Sequence, residues 1–378
     1  MKKNTVIILF IFLLAGVGVL VYKFFLGSMD PSDERAVTLS PTKEVVLLDR
    51  IYNTTIEIGA IGDILLHDRV YEDAARDSGY DFSEMFEPVK EMLGRPDFTI
   101  ANQESIAAGS ELGLSGYPTF NSPYEISDTL KNVGIDLVSL ANNHSLDKGE
   151  KGILRAIDYY NKIDMPYVGI NKNEEDRKRD RIINVNGISI GFLSYTYGTN
   201  GIPIPDGKDY LVNYLEDQKI YQDIKELRGK VDLLLVNAHW GLEYKRDPSD
   251  EQRRLANLMA EAGADIIIGH HPHVLQPIEW IESDKQRTLV VYSLGNFISA
   301  QKNDYKDIGG MVTIKVNKES SSQGTTTTVT DVNFTPTYVT NQNYRNYRIQ
   351  PFDNEDVFGQ EKANKQELTK FMLQSTEN

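Results

Sequence analysis

Residues 266–274 read IIIGHHPHV, an apolar run that gives way at once to a glycine and three histidines. Three consecutive isoleucines bounded by small and polar residues are typical of a short strand that is buried on both faces. The residues from Gly269 to His273 then lie at the carboxyl end of that strand. The same change from apolar to polar recurs along the chain, so it predicts both the fold and the position of a site.

Short apolar runs alternate with helical patterns through most of the chain. Such alternation predicts an α/β fold in which helices cover the strands on both faces. The predicted strands are 55–61, 98–101, 137–140, 188–195, 233–237, 266–268 and 289–292, and the predicted helices are 68–77, 83–93, 127–133, 148–163, 216–227 and 248–262. Beyond them, residues 311–316 and 329–339 predict peripheral antiparallel strands, and KESSSQGTTTT at 318–328 predicts an exposed hairpin loop.

Six of these predicted strands are followed directly by polar side chains. In open α/β sheets ligands bind outside the carboxyl ends of the strands, so we expect these six segments to meet at one place. The residues concerned are Asp63, Asn102 and Glu104, Asn142 to His144 with Asp147, His239 to Gly241 with Glu243, His270 to His273, and Asn296.

The histidines of the chain are concentrated in the same segments. There are only 6, five of them in the strand-end segments and His67 four residues after Asp63. A single histidine is usually a structural residue, but this grouping beside carboxylates predicts a metal site. Nitrogen and oxygen ligands without sulfur suit Zn, Mn or Fe. More ligands are present than one four-coordinate ion needs, so we expect two divalent ions that share a bridging carboxylate.

Composition excludes several other classes of protein. The chain has 378 residues, a formal net charge of −15 and no cysteine. The negative charge argues against nucleic acid as a partner, because no net positive field attracts phosphates. Without cysteine there is no disulfide framework, thiolate metal site or cysteine nucleophile.

The amino-terminal segment predicts a membrane anchor. Lys2 and Lys3 precede an uncharged run of 17 residues from Val6 to Tyr22, which spans roughly 26 Å as a helix. The positive-inside rule places the lysines in the cytoplasm and the rest of the chain outside a single-pass anchor in the cell membrane. A cleaved signal peptide and a buried core helix are the alternatives.

These features divide the chain into four parts. Residues 1–27 form the cytoplasmic tip and transmembrane anchor, and residues 28–50 a polar linker. Residues 51–345 form the main domain. Residues 346–378 are acidic and amide-rich with little periodicity, which predicts a polar, mobile tail.

The ordered set of strand-end motifs resembles the CapA/PgsA family. The motifs are Gly62-Asp63, Asn102-x-Glu104, Asn142-Asn143-His144-x-x-Asp147, His239-Trp240-Gly241-x-Glu243, Gly269-His270-His271-Pro272-His273-Val274 and Ser293-Leu294-Gly295-Asn296-Phe297. The resemblance implies a part in the synthesis and export of poly-γ-glutamate capsule, a membrane anchor, and other capsule synthase subunits and the polymer as partners. It also implies a fold similar to the calcineurin-like metallophosphoesterases, an αββα core with mixed sheets.

The metallophosphoesterase pattern also implies roles for single residues. Asp63 resembles the aspartate that holds the first metal, Glu104 stands in the place of the bridging aspartate, and His144, with Asp147, resembles the catalytic acid. The remaining metal ligands implied are Asn143, His239, His271 and His273. Contacts to the metal ligands or to substrate are expected from His67, Asn102, Asn142, Trp240, Glu243, His270 and Asn296. The sequence departs from the pattern at Leu65, where a first-motif histidine is expected.

Each of these roles has a structural alternative. Asp63 can cap a helix, Asn142 and Asn143 can serve a tight turn, and Trp240 can be a packing residue. At the level of function, the main hypothesis is a metal-dependent hydrolase or transferase that acts on the polymer or its carrier. The alternatives are a non-catalytic scaffold that binds the polymer and a general extracellular metallophosphoesterase.

Overall fold

Strands and helices alternate through the part of the chain that the structure describes. The computed structural model describes residues 50–283 and 286–376. The predicted anchor, residues 1–27, and all but the last residue of the predicted linker, residues 28–50, lie outside this part. Among the described residues, no helix combines the length and the apolar character needed to cross a membrane.

The strands belong to two mixed sheets. In chain order they are β1 Tyr52–Ile64, β2 Phe98–Gln103, β3 Leu137–Ser139, β4 Tyr167–Val168, β5 Ile182–Val185, β6 Ile188–Thr196, β7 Leu233–His239, β8 Ile266–His270, β9 Leu275–Glu282, β10 Arg287–Leu294, β11 Asn296–Ile298, β12 Ile308–Ser321, β13 Gly324–Gln342 and β14 Arg345–Pro351. The first sheet has the order β14-β13-β12-β1-β2-β3-β4, with β11 beside the end of β1, and the second has the order β5-β6-β7-β8-β10-β9.

Most of the helices lie between consecutive parallel strands. The helices are α1 Asp68–Asp73, α2 Ser83–Phe86, α3 Lys90–Gly94, α4 Glu125–Asn132, α5 Gly149–Lys162, α6 Glu174–Arg177, α7 Asp217–Arg228, α8 Asp250–Ala262 and α9 Lys365–Leu373, with 3₁₀ turns at Glu87–Val89 and Ser110–Leu112. Each sheet combines parallel and antiparallel pairs: β1 runs parallel to β2 and antiparallel to β12. The predicted α/β class with mixed sheets is therefore confirmed.

Three apolar cores separate the layers. One lies between the first sheet and helices α1 to α5, one between the two sheets, and one between the second sheet and helices α7 and α8. Representative buried members are, in that order, Val70, Leu130, Ile157 and Val138; Ile58, Ile100, Leu235 and Ile268; and Ile224, Met259, Val236 and Ile267. The layers therefore follow the order helices, sheet, sheet, helices.

The sequence of strand β7 is apolar at consecutive positions because both faces of the strand are buried. Leu233 and Leu235 face the core between the sheets, whereas Leu234 and Val236 face the helices. Because both faces are covered, the strand has no polar side until the last residues. His239 ends the strand on the face that looks toward the first sheet, since alternate residues share a face.

Helix α8, which follows β7, has a capping residue at its start and a glycine at its end. Ser249 accepts a hydrogen bond from the backbone of Gln252, whose side chain bonds back to Ser249 in a capping box. Gly263 ends the helix in the left-handed region, with φ of 117°. These two ends bound the helix between β7 and β8, and the parallel pairing of the two strands then places His239 beside His270.

The carboxyl-terminal third differs from expectation. Strand β12 is not peripheral, because it pairs with β1 in the middle of the first sheet. The hairpin expected over residues 318–328 is present, but its strands run to Ser321 and from Gly324 and leave a short turn. The predicted tail contains strand β14 and helix α9, whose Leu368 and Met372 are buried in the core between the sheets.

The end of β1 lies against the backbone that joins β10 to β11. The Asp63 N–H donates a hydrogen bond to Gly295 O at 2.8 Å. At Gly62, an added Cβ would lie 2.1 Å from Gly295 O and 2.7 Å from Leu294 O. Only glycine permits this approach, which fixes where the Asp63 side chain enters the space between the sheets.

We predict that Gly62→Ala lowers the free energy of unfolding by roughly 1–3 kcal/mol, because backbone atoms must move to admit the methyl group. Gly229→Ala is the matched control, since an added Cβ there meets nothing within 4 Å. It is expected to leave stability within about 0.5 kcal/mol of the wild type. Urea unfolding measures both, and equal values for the two variants would contradict the close approach.

Candidate metal centre

Five acidic and histidine side chains from both sheets meet at the carboxyl ends of the parallel strands. Asp63, Glu104, His239, His271 and His273 are all at most 3% exposed. They form two triads whose donor atoms lie within 4.8 Å of one another: Asp63, Glu104 and His239, and Glu104, His271 and His273. Glu104 belongs to both triads.

Glu104 is a buried carboxylate without a hydrogen-bond donor. Neither of its carboxylate oxygens has a hydrogen-bond partner. The Nε2 atoms of His239 and His273 each lie 3.6 Å from its Oε1. An uncompensated buried carboxylate is costly, and a divalent ion between it and the imidazoles removes that cost. The donor set therefore fits a divalent ion with mixed nitrogen and oxygen ligation.

Asp63 is better compensated than Glu104. Its Oδ1 accepts a hydrogen bond from Asn102 Nδ2 at 2.8 Å. The Nδ1 atoms of His270 and His273 lie 3.3 and 3.2 Å from its two oxygens. Burial by itself raises the pKa of Asp63, but these two histidines outweigh it and hold the pKa well below the ordinary value. Asp63 is therefore an anion at neutral pH.

The other pKa shifts also follow from burial and neighbouring charge. Burial raises the pKa of Glu104 well above its ordinary value. Burial lowers the pKa of His271 to about 3 and that of His239 well below 6.5, so both imidazoles are neutral at pH 7. Burial acts in the same direction on His273, but the charges of Glu104 and Asp63 outweigh it and raise its pKa to about 9. Neutral imidazole is the form that binds a metal ion.

The two asparagines after β3 have different contacts. Asn143 Oδ1 lies 2.9 Å from His239 Nε2, at the edge of the first triad. Asn142 instead holds the loop, because its Nδ2 donates to Gln103 O at 2.9 Å and its Oδ1 accepts from the His144 N–H at 3.0 Å. Asn142 therefore holds the turn through backbone contacts, whereas Asn143 contacts a histidine of the first triad, and its role as a metal ligand stays a prediction.

His144 and Asp147 form a buried hydrogen-bonded pair. His144 Nδ1 lies 2.7 Å from Asp147 Oδ2, and the two side chains are 7% and 1% exposed. Asp147 Oδ2 also accepts a hydrogen bond from the Phe120 N–H at 2.6 Å, and the Phe120 ring meets the imidazole edge to face. Because Nδ1–H points at the carboxylate, Nε2 is the ring nitrogen that remains available to a bound substrate.

His67 lies near the centre but belongs to neither triad. Its Nδ1 is 3.3 Å from Leu65 O, and its ring packs edge to face on Phe120. Burial lowers the pKa of His67 to about 4. Leu65, at the position where the pattern expects a histidine, is 2% exposed and packs as an apolar residue. The structure thus brings no first-motif histidine into either triad.

Three other predicted contacts have separate environments. Asn296 Oδ1 lies 3.1 Å from His273 Nδ1, so it borders the second triad. Trp240 is 1% exposed and donates from Nε1 to Tyr292 O at 3.0 Å, which is the packing alternative. Glu243 is exposed and lies outside both triads.

The loop after β6 also borders the centre, although no residue of it was predicted there. Tyr197 places its ring centroid 4.7 Å from that of His271. Asn200 Oδ1 accepts a hydrogen bond from Asn143 Nδ2 at 3.2 Å, so it turns the Asn143 oxygen toward His239. The sequence did contain a signal for this loop. Strand 188–195 was predicted, and polar residues follow its carboxyl end, as they follow the other six strands.

Tyr244 was also missed as a neighbour of the centre. Its ring centroid lies 6.0 Å from that of His273. Burial raises the pKa of both Tyr197 and Tyr244 to about 12, so both hydroxyls keep their protons at neutral pH. Neither residue type signals a metal site by itself, which is why pattern reasoning passed over them.

The chain is similar in sequence to bacterial capsule proteins. The family model described as "Bacterial capsule synthesis protein PGA_cap" matches residues 57–301. "Capsule biosynthesis protein CapA" of Bacillus anthracis is 32% identical over 285 residues, which cover 70% of this chain and 65% of that protein. "PGA biosynthesis protein CapA" of Bacillus subtilis (strain 168) is 32% identical over 251 residues, 64% of this chain and 62% of that protein. The chain thus spans slightly less than two thirds of these relatives.

Among solved structures, the calcineurin-like phosphoesterase YfkN from Bacillus subtilis is similar at 15% sequence identity with a TM-score of 0.44. The match covers 86% of this chain and 97% of that one.

We predict that Asn200→Ala weakens the binding of Mn²⁺ or Zn²⁺ about 10-fold or more, because the Asn143 amide loses the acceptor that orients it. Asn200→Asp keeps an acceptor and is expected to bind within about threefold of the wild type. Isothermal titration calorimetry on the metal-free chain measures both.

Asn186→Ala is the matched control for the backbone. Asn186 and Asn200 have φ of 50° and 51°, so alanine strains both loops in the same way. Asn186 bonds to Asp97 instead of to the centre. Wild-type metal affinity in Asn200→Ala, or an equal loss in Asn186→Ala, would contradict the orienting role.

Proposed function

The chain belongs to the family of the bacterial capsule synthesis protein PGA_cap, as its motifs predict, and from that premise we propose a metal-dependent function in the synthesis of poly-γ-glutamate capsule. The centre at the strand ends binds divalent metal, two ions in its full form, and acts on the polymer or on its carrier. The names of the two CapA relatives support the capsule role.

The observation that carries the proposal is the position of Glu104. It belongs to both triads, and its two oxygens have no other partner. A carboxylate shared by two ligand sets is what a pair of ions about 3.5–4 Å apart requires. Divalent ions held there supply Lewis-acid polarisation of a substrate oxygen and lower the pKa of a water molecule.

The protein's own residues supply proton transfer. His144 Nδ1 is held by Asp147 at 2.7 Å, which fixes the tautomer and leaves Nε2 to hold a proton for the leaving group. The preceding residue, Asn143, borders the first triad, so the same loop carries both side chains.

We further propose that the chain works outside the cell membrane, held there by residues 1–27. The uncharged run from Val6 to Tyr22, with Lys2 and Lys3 before it, supports this location. The polar composition of residues 28–50 supports a linker between membrane and domain. Other capsule synthase subunits are the partners that the family implies.

One observation favours a second candidate function. Leu65 is buried and apolar at the position where the metallophosphoesterase pattern expects a metal-binding histidine. A centre with fewer ligands binds its ion more weakly, and a centre that is not fully occupied lacks the metal chemistry needed for turnover. The second candidate is therefore a scaffold subunit that binds polymer without turnover.

We predict that His144→Gln and His239→Ala fail in different ways. His144→Gln is expected to keep the metal content of the wild type and lose about 100-fold or more in kcat, because only the proton donor is removed. His239→Ala removes a ligand of the first triad and is expected to lose metal and activity together. Elemental analysis by mass spectrometry and assays on poly-γ-glutamate and on bis(4-nitrophenyl) phosphate measure both.

The two substrates and the two variants separate the candidates. Turnover of the phosphodiester alone assigns a general phosphoesterase. Metal-dependent binding of poly-γ-glutamate with no turnover of either substrate assigns the scaffold. Wild-type protein that takes up no divalent metal would contradict the proposal itself.

A further inference from the structure

Two exposed tyrosines border the buried centre. His271 and His273 are 3% exposed, whereas Tyr197 and Tyr244 are 48% and 45% exposed. Tyr197 lies beside His271 and Tyr244 beside His273. The two rings are thus the half-exposed aromatic surfaces next to the ligand set.

Tyr197 is fixed to the strand that carries a predicted ligand. Its N–H donates to His239 O at 3.0 Å. Its ring is nearly parallel to that of His239, at 9° with centroids 6.3 Å apart, and its hydroxyl reaches Asn200 Oδ1 at 3.5 Å. The ring face is therefore held in place before any ligand arrives.

Tyr244 is fixed to the loop that carries the last two histidines. Its N–H donates to Pro272 O at 2.7 Å, and its hydroxyl accepts from Gln301 Nε2 at 3.3 Å. Lys306 Nζ lies 5.2 Å from the centroid of the Tyr244 ring. The backbone oxygen of Lys306 accepts a hydrogen bond from Asn296 Nδ2 at 2.7 Å, which ties this lysine to the edge of the centre.

Charge alone does not make this surface attractive to an anion. The chain carries a net charge of −15, and Glu243 is exposed beside Tyr244. Lys306 is itself 3.2 Å from Asp304. A polyanion that binds here must therefore gain most of its affinity from neutral contacts, which rigid, amphipathic rings provide at low cost in conformational entropy.

We propose that Tyr197, Tyr244 and Lys306 form a substrate-binding rim for a carboxylate-bearing polyamide chain. The amide and methylene groups of that chain lie on the two ring faces, and a side carboxylate pairs with Lys306. The rim rests on the proposed function of the centre, for which it names the substrate-positioning residues. Because each ring contacts a different unit of the chain, affinity depends on chain length.

The test uses the full chain loaded with Mn²⁺ and a synthetic γ-linked glutamate octamer, with free glutamate for comparison. Tyr197→Ala and Tyr244→Ala are each expected to weaken octamer binding about 5- to 10-fold in calorimetry, whereas Tyr197→Phe keeps the ring face and stays within about twofold. Metal content, measured alongside, is expected to equal that of the wild type in all three.

Tyr221→Ala is the matched control. Tyr221 is 42% exposed on helix α7, and Lys225 Nζ lies 5.4 Å from its ring centroid, much as Lys306 lies beside Tyr244. It is expected to leave octamer affinity unchanged. If Tyr197→Ala and Tyr244→Ala both bind the octamer as tightly as the wild type, the proposed rim is contradicted. That result does not contradict the proposed metal centre.

Other outcomes also separate the two proposals. If the wild-type protein binds Mn²⁺ but not the octamer, the rim is contradicted. The metal centre then acts on a different substrate. Wild-type protein that binds no Mn²⁺ contradicts the proposed function of the centre. Octamer binding no tighter than that of free glutamate contradicts contact by both rings.

Discussion

The buried Glu104 carboxylate is the constraint on which the rest of the structure depends. Its oxygens have no hydrogen-bond donor, and imidazoles from β7 and from the loop after β8 lie 3.6 Å away. A carboxylate in such a place is stable when protonated or when paired with positive charge. The protein brings histidines to it instead of arginine or lysine. His239 is neutral at pH 7, whereas His273, whose pKa is raised to about 9, binds a metal ion only after it loses its proton.

The fold makes that arrangement possible because parallel strands end at a common edge. Asp63 arrives on β1, whose last residues touch the backbone at Gly295, and His239 arrives on β7 of the other sheet. Two sheets that face one another through an apolar core bring side chains together that are far apart in sequence. The centre is therefore a property of the paired sheets, and no single sheet holds a complete triad.

Much of this could be predicted from the order of residue types. The apolar runs at 233–237 and 266–268 predict β7 and β8 because both faces of those strands are covered, and the polar residues that follow mark the site. Asn200 could not be found in this way, since its role is to orient another amide across 57 residues of sequence. Helix α9 was missed because its apolar residues, Leu368 and Phe371 to Leu373, are too few and too clustered to show a helical period.

Family membership and site geometry support the function from independent directions. The family match concerns residues 57–301, whereas the triads are a property of side-chain positions. Leu65 in place of a histidine lowers the number of ligands that the centre offers. Glu104, which belongs to both triads, decides whether the centre binds ions at all. The account therefore depends more on Glu104 than on any other residue.

Anomalous X-ray diffraction from crystals grown with Mn²⁺ tests the central claim most directly. The account predicts a peak about 2.0–2.3 Å from a Glu104 oxygen, in contact with a histidine nitrogen of at least one triad. Crystals in which Glu104 and the three histidines pack against one another with no peak between them, at saturating metal, would contradict it.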